Sequence, residues 1–156
     1  MTGPLYDLVL AAHVLAAVVG FGALGASGAS AAAVRRSPDP RSDPSLLRYF
    51  APGRNWAART VLLVPVLGGT LLALGHGRDV PYPWPWIGLA IWTTAVAVAS
   101  AGLWPAEREI QRILSSSGDP APTGELASAA RRAERSAAAT SLAFAAAVVV
   151  MIWQPR

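Results

Sequence analysis

The sequence predicts an all-α fold: an integral membrane four-helix bundle, N-out and C-out, with a cytoplasmic helical extension between helices 3 and 4. Three observations carry that expectation. Apolar residues make up 53% of the 156 and charged residues only 14%, far from the balance of a water-soluble domain. Four apolar stretches approach the ~20 residues that a helix needs to cross a bilayer. The basic residues fall between those stretches, almost all on one side. The chain therefore reads as a single transmembrane domain over 1–156, with spans at about 5–34, 57–74, 86–104 and 136–153 and cytoplasmic loops at 35–56 and 105–135. No stretch alternates with period two, which argues against membrane strands.

The first span runs from Leu5 to Val34, interrupted by Asp7 and His13. It lacks a basic leading segment and exceeds the length of a signal-peptide core, so a retained span is expected rather than a cleaved leader. The loop "RRSPDPRSDPSLLRYFAPGRNW" resists regular structure around its prolines, with "SLLRYF" as a candidate short interfacial helix. In the second span Pro65 removes a backbone donor and predicts a bend, and Gly68 and Gly69 admit a close neighbour. "HGRDVPYPWPW" makes a tight, proline-stiffened outer turn. After the third span "PAEREIQRIL" continues as helix, stepped at Pro105. "SSSGDPAPTG" is the expected turn, and "ELASAARRAERS" climbs back into the fourth span.

Orientation follows from the arginines. All thirteen basic residues are arginine; Arg35, Arg36, Arg41, Arg48, Arg54 and Arg59 lie in one connection and Arg108, Arg112, Arg131, Arg132 and Arg135 in the other, leaving Arg78 and Arg156 opposite. The positive-inside rule places both long connections in the cytoplasm. Tyr6, Tyr82, Trp84, Trp86 and Trp153 then mark the outer interface and Trp56 and Trp104 the inner one, with Trp92 within the hydrocarbon. A net charge of +4 without a basic face interleaved with aromatics does not suggest nucleic acid as a partner. The chain contains no cysteine, so thiolate metal sites and cysteine nucleophiles are excluded. Its lysine-free, Ala/Gly/Pro/Arg-rich composition suits a high-GC bacterial genome, and so a bacterial plasma membrane.

"GFGALGASGAS" contains the GxGxxG spacing of a dinucleotide loop, but no strand precedes it. Inside an apolar helix the glycines serve close packing instead. Gly22, Ala26 and Ser30 form one small-residue ridge, and Gly25, Ala29 and Ala33 form a second beside it.

His13 is an ionisable side chain inside a span, which marks a candidate site. His76 ends the second span on the same outer side. The two could ligate a haem b iron or hold a divalent metal, with Asp7 and Asp79 as additional metal ligands; alternatively His13 is interhelical glue and His76 a solvated interface residue. In the cytoplasmic hairpin Arg108, Arg112, Arg131 and Arg135 could pair with Glu107, Glu109 and Glu134 or meet anionic lipid. No serine–histidine–acid arrangement is in view, and Met1 and Met151 do not cluster as copper ligands would.

"HVLAAVVGFGAL" in the first span, "WPAEREIQRIL" after the third and "AAAVVVMIWQPR" closing the fourth resemble a family of small bacterial membrane proteins of unknown function. That family is similar to the copper-resistance D-type membrane proteins and the short four-helix protoporphyrinogen oxidases. The early-span histidine of that pattern falls on His13, whereas the oxidases' intramembrane lysine has no counterpart here. The resemblance implies a four-helix fold and no particular activity. The expected function is non-enzymatic: association with membrane lipid, with other membrane proteins or with further copies of the chain. A haem- or metal-binding role for His13 and His76 is the alternative.

Overall fold

A computed structural model describes residues 3–53, 55–116 and 123–154. Helix α1 (Pro4–Arg36) opens with proline at its first position, where a missing N–H costs nothing. Helix α2 (Pro44–Tyr49) is the short helix expected at "SLLRYF". It is capped by Asp43, whose carboxylate accepts from the Ser45 and Leu46 N–H groups. A 3-10 segment (Asn55–Leu62) leads into α3 (Leu63–Leu74). Helix α4 (Pro83–Val98) passes through a π turn (Ala99–Leu103) into α5 (Trp104–Ser115). Helix α6 (Thr123–Trp153) returns. Four helical units are long and apolar enough to cross a membrane. The described residues contain no strand.

The first two helical units run close to the expected 5–34 and 57–74, the third and fourth run on past 104 and start well before 136, and two local conformations differ from the expectation. The second span begins as a 3-10 helix rather than an α-helix. The step foreseen at Pro105 is absorbed one turn earlier. Proline has no N–H for the carbonyl four residues back, and the π turn widens the helix there, with the Trp104 N–H reaching back to the Ala99 carbonyl. The turn expected at "SSSGDPAPTG" falls mainly on residues 117–122, and these lie outside the described residues, as do Arg54 and Arg156.

Close contacts fix the register. Arg35 meets Glu134 and Phe21 stacks on Phe144, so α1 and α6 are antiparallel. Helix α1 likewise runs antiparallel to α3, with Gly20 against Val61 and Gly68 against His13. Gly102 lies on Ser136 and Gly88 on Met151, which sets α4 and α5 against α6. Both ends of the described chain thus lie at one end of the bundle, and most of the arginines lie at the other.

Packing is uneven along the axis. Leu24, Ala31 and Val34 of α1 are buried with Leu46 and Phe50, with Leu103, Ala106 and Ile110, and with Ala129, Ala133 and Ala137 of α6. All of these sit towards the arginine-rich end. Towards the terminal end α3 buries no residue, and Leu5, Leu8, Leu15, Ile152 and Trp153 are exposed. In lipid such exposure is cheap, because acyl chains are as apolar as leucine.

Candidate functional site

Pro65 determines what happens around His13. Having no N–H, it leaves the Val61 carbonyl without its α-helical donor. The indole Nε1 of Trp92, reaching across from α4, donates to that oxygen at 2.9 Å. This bond ties α4 to the second span, two units that otherwise approach each other little. Beyond the proline, Gly68 presents bare backbone to α1, and the His13 ring fills the space: a methyl group at Gly68 would lie 3.3 Å from His13 Cε1. The ring also lies against the Val64 backbone. Its Nδ1 is buried without a hydrogen-bond partner.

His76 lies elsewhere. Gly68 is six residues before the end of α3 at Leu74, about 9 Å at 1.5 Å per residue, and His76 follows in the capping turn. There His76 adopts φ 57° and Gly77 φ 68°, and the Gly77 N–H closes the helix onto the Leu72 carbonyl at 2.9 Å. Left-handed backbone is uncommon outside glycine, and histidine is among the residues enriched in it. Nitrogen ligands sit about 2 Å from a metal, and Gly68, on which His13 packs, lies about two helical turns before His76. Asp7 is exposed and Asp79 half-buried. Among the described residues no three His, Asp or Glu side chains cluster as a metal site.

The small-residue ridges lie beside the closest helix approaches, with Gly25 at ordinary contact distance from Ser141 on α6. Gly22, Ala26 and Ala29 lie on the open surface of α1, and Gly25 and Ser30 are half-buried. A methyl group at Gly22 would meet nothing within 4 Å. The close approaches use the other two glycines of "GFGALGASGAS". A Cβ at Gly20 would stand 2.5 Å from the Val61 backbone nitrogen, and one at Gly28 would collide with the Ala137 Cβ. Phe21, Leu24, Ser27 and Ala31 complete that buried face. Periodicity identified two ridges but not the phase, because nearly every residue of this stretch is small or apolar.

The arginine-rich end is held by polar contacts as well. Arg35 pairs with Glu134 at 3.1 Å, and Arg112 pairs with Glu109 on its own helix and with Glu125 at 3.8 Å across the hairpin. Glu134 therefore finds its partner on α1 rather than within the hairpin. Arg41 donates to the Ile113 carbonyl, fastening the loop to the end of α5. Tyr49 and Ser27 share a hydrogen bond of 2.9 Å. Burial pushes the Tyr49 phenol above its ordinary pKa, and the neighbouring Glu107 charge adds to the effect.

A cleft of 440 Å³ opens at this end between the 3-10 segment and α5. A 3-10 helix has three residues per turn, so Trp56, Arg59 and Leu62 stand in one row. Trp104, Glu107, Arg108 and Gln111 occupy i, i+3, i+4 and i+7 of α5 and so share one face. The second pattern is present in the sequence. The first is recognisable only once the segment is known to be 3-10.

The chain belongs to a family described as predicted integral membrane proteins (DUF2269), whose model matches residues 7–155. No curated protein and no solved structure matches it. The membrane family of the sequence resemblance is thereby supported. The wider similarity to copper-resistance D-type proteins and protoporphyrinogen oxidases gains no support from these comparisons.

Proposed function

We propose that this chain is a non-enzymatic multi-pass protein of the bacterial plasma membrane, with both termini outside, that acts by association with anionic membrane lipid at its cytoplasmic, arginine-rich end. One observation carries the reading: the compact, interlocked core of the bundle lies beneath the arginines, while the terminal half is left open to lipid. A rigid platform bearing Arg36, Arg48, Arg59, Arg108, Arg131 and Arg132 suits the negative potential of an inner leaflet, where each basic residue near the surface contributes about 1 kcal/mol. Other membrane proteins, or a second copy of the chain, are the remaining candidates for association.

Reconstitution tests it. The melting temperature in vesicles containing phosphatidylglycerol is expected to exceed that in pure phosphatidylcholine, because a ligand of the folded state stabilises it. Equal stability in the two lipids would refute the reading.

A haem- or metal-binding role for His13 and His76 has one observation in its favour, the unpartnered Nδ1 of His13. Against it stands the placing of His13 on Gly68, about two helical turns before His76. A Soret band or a stoichiometric metal in the purified protein would select that alternative.

A further inference from the structure

We infer that the cleft between the 3-10 segment and α5 is a binding site for the phosphate of an anionic phospholipid headgroup, held by Arg59 and Arg108. This rests on the lipid-association reading and gives it a place. Arg35, Arg41 and Arg112 are already engaged by protein groups. Arg59 and Arg108 make no hydrogen bond or ion pair with another described residue, although both line the cleft. A guanidinium presents planar N–H donors that match phosphate oxygens two at a time.

Two further observations favour a lipid over a free anion. Trp56, 67% exposed, and Trp104 stand at the cleft, and indoles settle at the headgroup level of a bilayer. From the cleft an exposed apolar row, Leu62, Leu63 and Val66, continues along the second span towards the middle of the membrane. A headgroup seated on the arginines would lay its acyl chains along that row. Glu107 lines the same cleft and is only 5% exposed. Buried in the wall, it leaves the mouth of the cleft to the exposed Arg59 and Arg108. The volume falls within the range of small-ligand sites.

The test is native mass spectrometry of the full chain, delipidated in mild detergent and titrated with dioleoylphosphatidylglycerol. The wild type is expected to retain the lipid. Arg59→Gln with Arg108→Gln should weaken retention about tenfold or more, through loss of charge-assisted bonds. Arg78→Gln, at the opposite end of the bundle, should leave it unchanged. Unchanged helical content and melting midpoint would show the double variant to be folded, as expected for two exposed side chains. Arg59→Lys with Arg108→Lys should recover part of the affinity. Undiminished retention by the folded double variant overturns the cleft as the site but leaves the broader reading standing. Absence of phosphatidylglycerol binding by the wild type overturns both. Displacement of the lipid by millimolar inorganic phosphate overturns the lipid as occupant and identifies a free-anion site.

Discussion

Gly28 and Gly22 lie less than two turns apart on α1, and a methyl group added to each meets opposite surroundings. At Gly28 it strikes Ala137 of α6; at Gly22 it points into open space. The contrast extends to the whole molecule. Towards the arginine-rich end Gly28 and Gly102 present bare backbone to the Ala137 and Ser136 side chains of α6, and residues such as Leu103 and Ile110 are fully buried. Towards the terminal end the helices present leucine and valine outward, and His13 is the notable polar group in contact with a neighbouring helix. Within a bilayer, burial of apolar surface gives little reason for helices to stay together. Beyond it, water restores that reason. The extension of α5 and α6 past the spans therefore supplies a hydrophobic core where one is effective, and the remainder of the bundle is organised from that end.

The largest effect is expected from Gly28→Leu. Its side chain has no room against Ala137, so α1 must part from α6, and the folded, monodisperse protein should be lost in detergent. Gly22→Leu, on the same helix, should fold normally. Size-exclusion profiles of the two variants make the comparison.

Next is Ile110→Ala, which should cost about 2–5 kcal/mol because it empties a fully buried site. Leu142→Ala, at a position 72% exposed towards lipid, should change stability by less than about 0.5 kcal/mol. Thermal or denaturant unfolding measures both. Comparable losses would remove the distinction between the two halves.

Trp92→Phe should cost about 0.5–1.5 kcal/mol, the net value of one hydrogen bond, since the Val61 carbonyl then lacks the indole donor. Trp86→Phe provides the control. Its indole donates to the Val80 carbonyl at 3.0 Å in an exposed site, where water can take over.

The smallest effect concerns the loop. Hydrogen bonds from the Ser45 hydroxyl and then the Ser45 amide hold the Asp43 carboxyl below the usual carboxylate range. A lowered folded-state pKa contributes stability above the ordinary value and loses it as pH falls through the lowered one. Acidification should therefore speed hydrogen exchange at the Ser45 and Leu46 amides before the core residues respond.

The number of apolar helices and the α2 helix were legible in the sequence, because apolar run length and a proline-led capping motif act locally. The details that build the candidate site were not. Pro65 announced a bend, but not that a tryptophan 31 residues beyond Val61 would supply the missing donor. Histidines at positions 13 and 76 suggested a pair because both belong to the terminal end. Depth is set by the contact of His13 with Gly68, and no pattern in one sequence reports that. The glycines of "GFGALGASGAS" suggested close packing, which Gly20 and Gly28 make and Gly22 does not. Which of them face α6 and the second span depends on helix phase, and a stretch so rich in small residues leaves phase undetermined. The arginine cleft needed the 3-10 conformation of Asn55–Leu62, a segment that packs across Gly20.

The central claim is that the packed, arginine-rich end faces the cytoplasm. Because the chain contains no cysteine, single substitutions can be labelled without background. Ser116→Cys at the arginine-rich end and Gln154→Cys at the terminal end, treated with a membrane-impermeant maleimide on right-side-out spheroplasts, measure it directly. The account predicts labelling of Gln154→Cys in intact spheroplasts and of Ser116→Cys only after permeabilisation. The reverse pattern would contradict it.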